Sequence, residues 1–425
     1  MRIKKSILTI LITSMIMFVN ITYGGYTYSI FAKNEENEPS QLYSLSAVLM
    51  DADTGRVLFE KDGYTIRANA STTKIMTCIL AIESGRLDEL VTVSKYAASM
   101  PDVQLNVKAG EIYLLKDLLY SLMLESHNDV AVAIAEHISG DVKSFAKLMN
   151  DKAKELGCND TNFITPNGLD ASEETLDGMK IHGTTARDLA KIMAYCIKNE
   201  TFLEITQTAS YTFSDRTVDE QGNQRVGSRR YTVNNKNAFL HMMEGVLSGK
   251  TGFTGDAGYC YVGALKNNGR TYTIALLGCG WPNNKTYKWA DSKKLFNYGI
   301  DNYSITDFFD YNTKLPELSI RNGVYGSYNS FGKEGINADK VPYISLYVEE
   351  EPLYFLHRSD ERLSYEIMLD DSMNAPVKKG QVVGKIVYTL NGEFIKQYDI
   401  KANDTVEKKD YKWSFRCILN KFLMN

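Results

Sequence analysis

The 425-residue chain sets 48 lysines and arginines against 52 aspartates and glutamates, for a formal charge of -4, and 44% of it is apolar. Single cores stop growing at about 250–300 residues, so two folded domains are expected, and a mildly acidic balance with its basic residues scattered, except near the termini, argues against a nucleic-acid partner. The five histidines show no metal-ligand spacing beyond His241 and Glu244, which read as one helix face, and the six cysteines are too sparse for a disulfide-stapled scaffold. Neither metal nor cofactor is expected, and the cysteines read as mostly buried thiols.

At the N-terminus, Arg2, Lys4 and Lys5 precede an apolar stretch from Ile7 to Val19 that is short for a bilayer span. This is the layout of a secretory signal peptide, taken as residues 1–32. Cleavage after Ala32, cleavage nearer Gly24 and an uncleaved anchor all fit it. Ala47 to Asp51 and Arg56 to Glu60 read as two strands of a hairpin turning at Gly55.

Ser71-Thr72-Thr73-Lys74 follows, at the start of an apolar segment carrying Ile75, Met76, Ile79, Leu80 and Ile82. A serine is a poor nucleophile until something removes its proton. A lysine one helical turn away can do so if desolvation keeps it neutral. Cys78, one further turn on, is expected beneath the nucleophile. Alone, such a pair would be an ordinary helix start with a solvated lysine.

Leu114 to Leu122 continue a helical stripe and Val130 to Ile138 begin another, which leaves Ser126-His127-Asn128 at a junction able to protrude into a cleft. Ala257 to Leu265 and Arg270 to Gly278 read as adjacent strands joined at Asn268-Gly269, so Lys250-Thr251-Gly252 should open an edge strand beside them. Gly252 would let a substrate backbone approach closely. The hairpin would place Cys260 and Cys279 diagonally rather than opposite.

After about Tyr303 the helical periodicity fades into short strand-like runs such as Tyr343–Val348, Tyr365–Leu369 and Lys385–Thr389, a β-rich second domain. From Lys408 on, Tyr411, Phe415, Ile418, Leu419, Phe422 and Leu423 share one helical face and Lys409, Lys412, Arg416 and Asn420 another. Such a helix, too short to span, either lies at a membrane surface or packs on the protein itself.

The three motifs in this order, with Ala70–Thr77, Asp117–Leu124, Thr161–Leu169, His182–Ala190, Gly249–Thr254 and Ala375–Gly384, resemble the low-molecular-mass D-alanyl-D-alanine carboxypeptidases, penicillin-binding serine peptidases of family S11. The resemblance covers most of the chain. It implies an α+β catalytic domain of the serine β-lactamase/DD-peptidase type, with an antiparallel sheet flanked by helices, over residues 33–302. A smaller β-rich domain over 303–405 and an amphipathic membrane-associating helix over 406–425 would follow.

The same resemblance implies removal of the terminal D-alanine from peptidoglycan stem pentapeptides through an acyl-enzyme on Ser71, with β-lactams as covalent inhibitors. Lys74 would be the base, Ser126 would pass a proton to the leaving amine, and Asn128 would hold Lys74 and the substrate amide. Lys250 and Thr251 would meet the terminal carboxylate. The amides of Ser71 and Phe253, beside Gly252, would form the oxyanion hole. An extracytoplasmic enzyme held at the outer face of the cytoplasmic membrane is expected.

Three departures stand out: His127 where the family usually has a small residue, Asn69 in place of a frequent proline, and Ser248-Gly249 leading into Lys250. The His127 ring either narrows the cleft or packs at the helix junction. Rival readings are an endopeptidase acting on cross-links, a non-catalytic penicillin sensor, and a β-lactamase. The last needs a deacylating carboxylate in a Glu-x-x-Leu-Asn element, which Glu173, Leu176 and Asp177 match only in part.

Overall fold

The computed structural model describes residues 38–101, 103–176, 178–324 and 341–423. The signal-like segment and Asp177 lie outside them. The described residues form two compact units that divide after Tyr303.

The first unit is built on a five-stranded antiparallel sheet of β1 (Ser46–Asp51), β2 (Val57–Lys61), β3 (Val246–Thr254), β4 (Gly258–Asn267) and β5 (Arg270–Leu277), in the spatial order β2-β1-β5-β4-β3. All six residues of β1 are buried, which explains its unbroken apolar run: the sheet is covered on both faces. Val48 and Met50 join the helical core, whereas Leu49 meets Gly299 on the other side. The two hairpins turn as their sequences predict. Gly55 has φ +77°, and Asn268 and Gly269 both have positive φ, as a two-residue type I′ turn requires.

Helices α1 (Lys74–Glu83), α2 (Leu115–Leu124), α3 (Asn128–Ser139) and α4 (Ala186–Cys196) gather on the Val48 face. The last helix of the unit, α5 (Tyr287–Asn302), packs on β1, β4 and β5. Nearly every residue of α1 is buried, so the helix is anchored along its length and its first turn is a rigid platform. Ser71 itself lies in a 3-10 turn, Ala70–Thr73, that precedes α1.

One expectation needs correcting. Lys250-Thr251-Gly252 does not open its strand: β3 begins at Val246, directly after Gly245 with φ +83°, and the motif occupies its second half. Because β3 is the sheet edge, its outer side stays available beside the 3-10 turn. Outside the sheet, a long polar hairpin pairs Ser210–Val218 with Gln224–Asn234, and a shorter one pairs Ser172–Thr175 with Gly178–Ile181.

The second unit is β-rich. Its largest sheet orders Leu346–Val348, Glu393–Ala402, Val382–Leu390 and Leu363–Leu369, and its two small cores centre on Ile320 and Val377 and on Tyr388 and Ile400. It ends in the helix Tyr411–Leu423, on which Tyr411, Phe415, Ile418, Leu419 and Phe422 are all exposed.

Candidate active site

Three segments meet at the edge of β3. The 3-10 turn brings Ser71, the α2–α3 junction brings Ser126 and Asn128, and β3 brings Lys250 to Phe253. Two backbone strains mark the convergence: Ala70 and Ser126 hold φ of +48° and +73°. A non-glycine residue in that region costs on the order of 1–3 kcal/mol, and such strain persists where the surroundings over-determine it.

Lys74 is the centre of the site. It is fully buried, with its Nζ 2.8 Å from Ser71 Oγ, 2.8 Å from Asn128 Oδ1 and 2.6 Å from the Asn167 carbonyl; in the neutral amine the two N–H groups donate to Asn128 and Asn167 and the lone pair is left for the Ser71 hydroxyl. It forms no ion pair with a carboxylate among the described residues. Burial, reinforced by the charge of Lys250, pulls its proton affinity well below the ordinary lysine value, and Asp129 only partly opposes this. A neutral amine 2.8 Å from a serine hydroxyl can take its proton.

Lys250 is 3% exposed, and burial lowers its pKa to about 7. Its Nζ donates to Ser126 Oγ at 2.9 Å and to the Thr251 carbonyl at 3.0 Å. Ser126 is therefore held by one lysine while the other holds Ser71. Gly252 is required by proximity: a Cβ there would lie 2.9 Å from the Ser71 amide nitrogen and 3.1 Å from the Asn69 carbonyl. Phe253 is half exposed, its ring 4.6 Å from that of Tyr259.

Around these groups opens a cleft of about 600 Å³ lined by Ser71, Ser126, Lys250 to Phe253, Tyr259, Lys236 and the start of α5. Lys288 is buried on that wall with its ammonium 4.7 Å from the Tyr259 ring centre and 4.5 Å from that of Trp289. Neither Lys288 nor the Asn167 carbonyl was singled out from the sequence. Asn167 is followed by Gly168 at φ +83°, where a Cβ would sit 2.0 Å from the Ala70 carbonyl. Only glycine lets this loop close against the serine turn. The Asn-Gly pair was the available signal.

His127 is buried away from the cleft. Its Nδ1 lies 2.7 Å from Ser121 Oγ and its Nε2 3.5 Å from Glu125, whose other oxygen accepts from Asn234 N and Lys236 Nζ. It packs at the helix junction. Burial lowers its proton affinity, against Asp129 and Glu125 and with Lys74 and Lys250. Asn69 donates to Thr72 and Thr73 and braces the turn.

The described residues of the β-lactamase-like element do not face the serine. Glu173 is exposed and accepts from Asn162, and Leu176 is fully exposed. Ser71 Oγ instead meets Lys74 and, at 3.4 Å, the Asn167 carbonyl. The five described cysteines are free and buried, Cys260 and Cys279 included; Cys78 lies near Cys196 inside the helical core. Among the described residues no cluster of histidine, cysteine and acidic side chains could hold a metal.

Comparison with known proteins agrees with this geometry. Residues 32–279 match the family model described as D-alanyl-D-alanine carboxypeptidase, and residues 325–408 match that of the penicillin-binding protein 5 C-terminal domain. The chain is 29% identical over 418 residues to the D-alanyl-D-alanine carboxypeptidase DacF of Bacillus subtilis, covering 96% of each. It is 32% identical to DacB2 of Mycobacterium tuberculosis over 60% of this chain and 81% of that one. Among solved structures, the carboxypeptidase DacD of Francisella tularensis superposes with a TM-score of 0.64 at 26% identity, covering 92% of this chain and all of that one. Penicillin-binding protein 5 of Haemophilus influenzae gives 0.62 at 25% identity, over 87% and 99%. With an α+β catalytic unit, a β-rich C-terminal unit and a match spanning more than half its length, the chain belongs to the S11 family of serine-type D-alanyl-D-alanine carboxypeptidases.

Proposed function

We propose that Ser71 is the nucleophile of a DD-carboxypeptidase that removes the terminal D-alanine from peptidoglycan stem pentapeptides. The observation that carries this is the buried Lys74 amine, 2.8 Å from Ser71 Oγ and unpaired with any carboxylate among the described residues. Lys74 takes the Ser71 proton as Oγ bonds to the carbonyl carbon between the two D-alanines. The amides of Ser71 and Phe253 receive the developing oxyanion, a donor pair typically worth about 10²–10³ in rate per donor. Ser126 relays to the departing D-alanine amine the proton that Lys74 took from Ser71, which returns Lys74 to the neutral amine, and Asn128 holds both Lys74 and the substrate amide. Water then cleaves the acyl-enzyme.

Lys250 and Thr251 receive the terminal carboxylate, so they carry specificity as well as rate. A carboxylate entering beside a buried lysine raises its proton affinity, which makes binding and charging of Lys250 mutually supportive. β-Lactams present a similar acyl bond and acylate the same Ser71.

We also infer residues 1–32 to be a signal peptide, 33–302 the catalytic domain, 303–405 the β-rich domain and 406–425 a helix that rests on the outer face of the cytoplasmic membrane. The exposed Tyr411, Phe415, Ile418, Leu419 and Phe422 support the last point, because a helix packed on its own protein would cover them. No helix among the described residues is long and apolar enough to cross a membrane.

The test is to incubate the protein with a stem pentapeptide ending in D-Ala-D-Ala and assay free D-alanine, with Ser71→Ala as control. Release that depends on Ser71 is expected. Penicillin labelling without release would move the assignment to an endopeptidase or a sensor.

A further inference from the structure

We propose that His182 is a positioning residue for acylation: its imidazole ties the turn that carries Ser71 and Lys74 to the loop whose Asn167 carbonyl receives the Lys74 amine. The inference rests on Lys74 being the base. His182 is 2% exposed and lies outside all three catalytic motifs.

The hydrogen bonds fix its tautomer. Nδ1 stands 2.9 Å from the Ile164 amide nitrogen and 3.2 Å from that of Thr165, and both amides can only donate. Nδ1 therefore carries the lone pair and Nε2 the proton, which is donated to Thr73 Oγ1 at 2.8 Å. Thr73 immediately precedes Lys74 and is braced from the other side by Asn69 Nδ2 at 2.9 Å.

Two residues beyond Thr165, the Asn167 carbonyl accepts from Lys74, and between them the Pro166 carbonyl accepts from Thr77 Oγ1 at 2.6 Å. The loop is thus pinned to α1 at Lys74 and Thr77 and to His182 at two amides. Removing the imidazole strands two donors and frees the carbonyl that aims the amine at Ser71.

A protonated Nδ1 would put a third donor against two amides. Lys74 acts against a charge on the ring whenever its own amine is protonated, while Arg67, Asp170 and Asp256 line the cavity of about 490 Å³ beside it. Burial first and Lys74 second hold the ring neutral down to a pKa of about 4. The latch is closed throughout the neutral range.

The test compares His182→Ala, His182→Leu, His182→Asn and His182→Gln in the full chain, by D-alanine release, by the rate of penicillin acylation and by thermal melting. A misplacement of about 1 Å near the chemistry costs up to about 10²-fold, so Ala and Leu should lose about 10- to 100-fold in kcat with KM changed less than about threefold. Asn and Gln, which retain an acceptor and a donor, should recover to within about fivefold of wild type.

Leu at the wild-type rate, Asn and Gln as slow as Leu, or a loss confined to KM would each overturn the proposal. If Ala does not fold, Leu against Asn and Gln decides the matter. If wild type releases no D-alanine, the assigned substrate is wrong, and the penicillin rates still test the latch.

Discussion

Lys74 and Lys250 are both buried lysines without a carboxylate partner among the described residues, yet their surroundings ask opposite things of them. Lys74 is enclosed by Ser71 Oγ, Asn128 Oδ1 and the Asn167 carbonyl, and burial, reinforced by the neighbouring charge of Lys250, drives it toward the neutral amine. Lys250 meets one hydroxyl and one carbonyl, faces an open cleft, and sits near its neutral point at about 7. One end of the site is closed and finished; the other awaits an anion. A peptidase selective for a free C-terminus needs that division, since a base must be neutral beforehand and a carboxylate receptor must charge as it is filled.

Breaking the closed end should cost most. Ser71→Ala should abolish D-alanine release, and Lys74→Ala should lower kcat by about 10²–10⁴, the usual worth of a positioned base, both read in a D-alanine assay. At the open end, Lys250→Gln should lower kcat/KM by about 10²-fold with a marked rise in KM, because charge recognition precedes the chemistry. An unchanged KM would show that the carboxylate lodges elsewhere, with Lys236, Lys285 and Lys288 the other lysines on the cleft wall.

A subtler break targets the backbone. Gly168→Ala places a methyl 2.0 Å from the Ala70 carbonyl in a conformation that alanine resists, so the Asn167 loop must withdraw. We expect a loss of about 10- to 100-fold in acylation rate, read by stopped-flow penicillin binding. A wild-type rate would mean that the Asn167 carbonyl is dispensable.

The contrast is sharpened by pH. The free enzyme loses the Lys250 charge as pH rises through about 7, so kcat/KM should fall above that point. The bound carboxylate holds the proton on, so kcat should persist to higher pH. Parallel alkaline limbs in the two profiles would contradict this. The smallest effect concerns stability. His182 has a folded-state pKa of about 4 against about 6.5 when unfolded, so its contribution is complete above about pH 6.5 and is lost as pH falls toward 4, by up to about 3 kcal/mol. Melting temperature should drop across that window, less steeply in His182→Gln.

Much of the site was legible because its chemistry sits in side chains at fixed spacing. Ser71 and Lys74, Ser126 and Asn128, and Lys250 to Gly252, weak one by one, together announce a function before any contact is known. The hairpins at Gly55 and Asn268-Gly269 were legible because turns demand positive φ. Asn167 was not, since it acts through a carbonyl that every residue possesses, and His182 was not, since a lone histidine carries no tautomer until its neighbours are placed. The start of β3 was misjudged because Lys250-Thr251-Gly252 resembles an opening more than the middle of a strand, and Gly245 is the true break. The hairpin at 210–234 escaped notice because its buried face is confined to one end, where Phe213 and Val233 reach the core with Tyr211 and Tyr231 against it, while the rest of both strands is polar and exposed.

The most direct test of the account is intact-mass analysis after exposure to penicillin, followed by peptide mapping. A single adduct on the peptide holding Ser71, absent from Ser71→Ala and slow to form in Lys74→Ala, is the predicted result. Unlabelled wild-type protein, or an adduct that survives in Ser71→Ala, would contradict the assignment of the nucleophile.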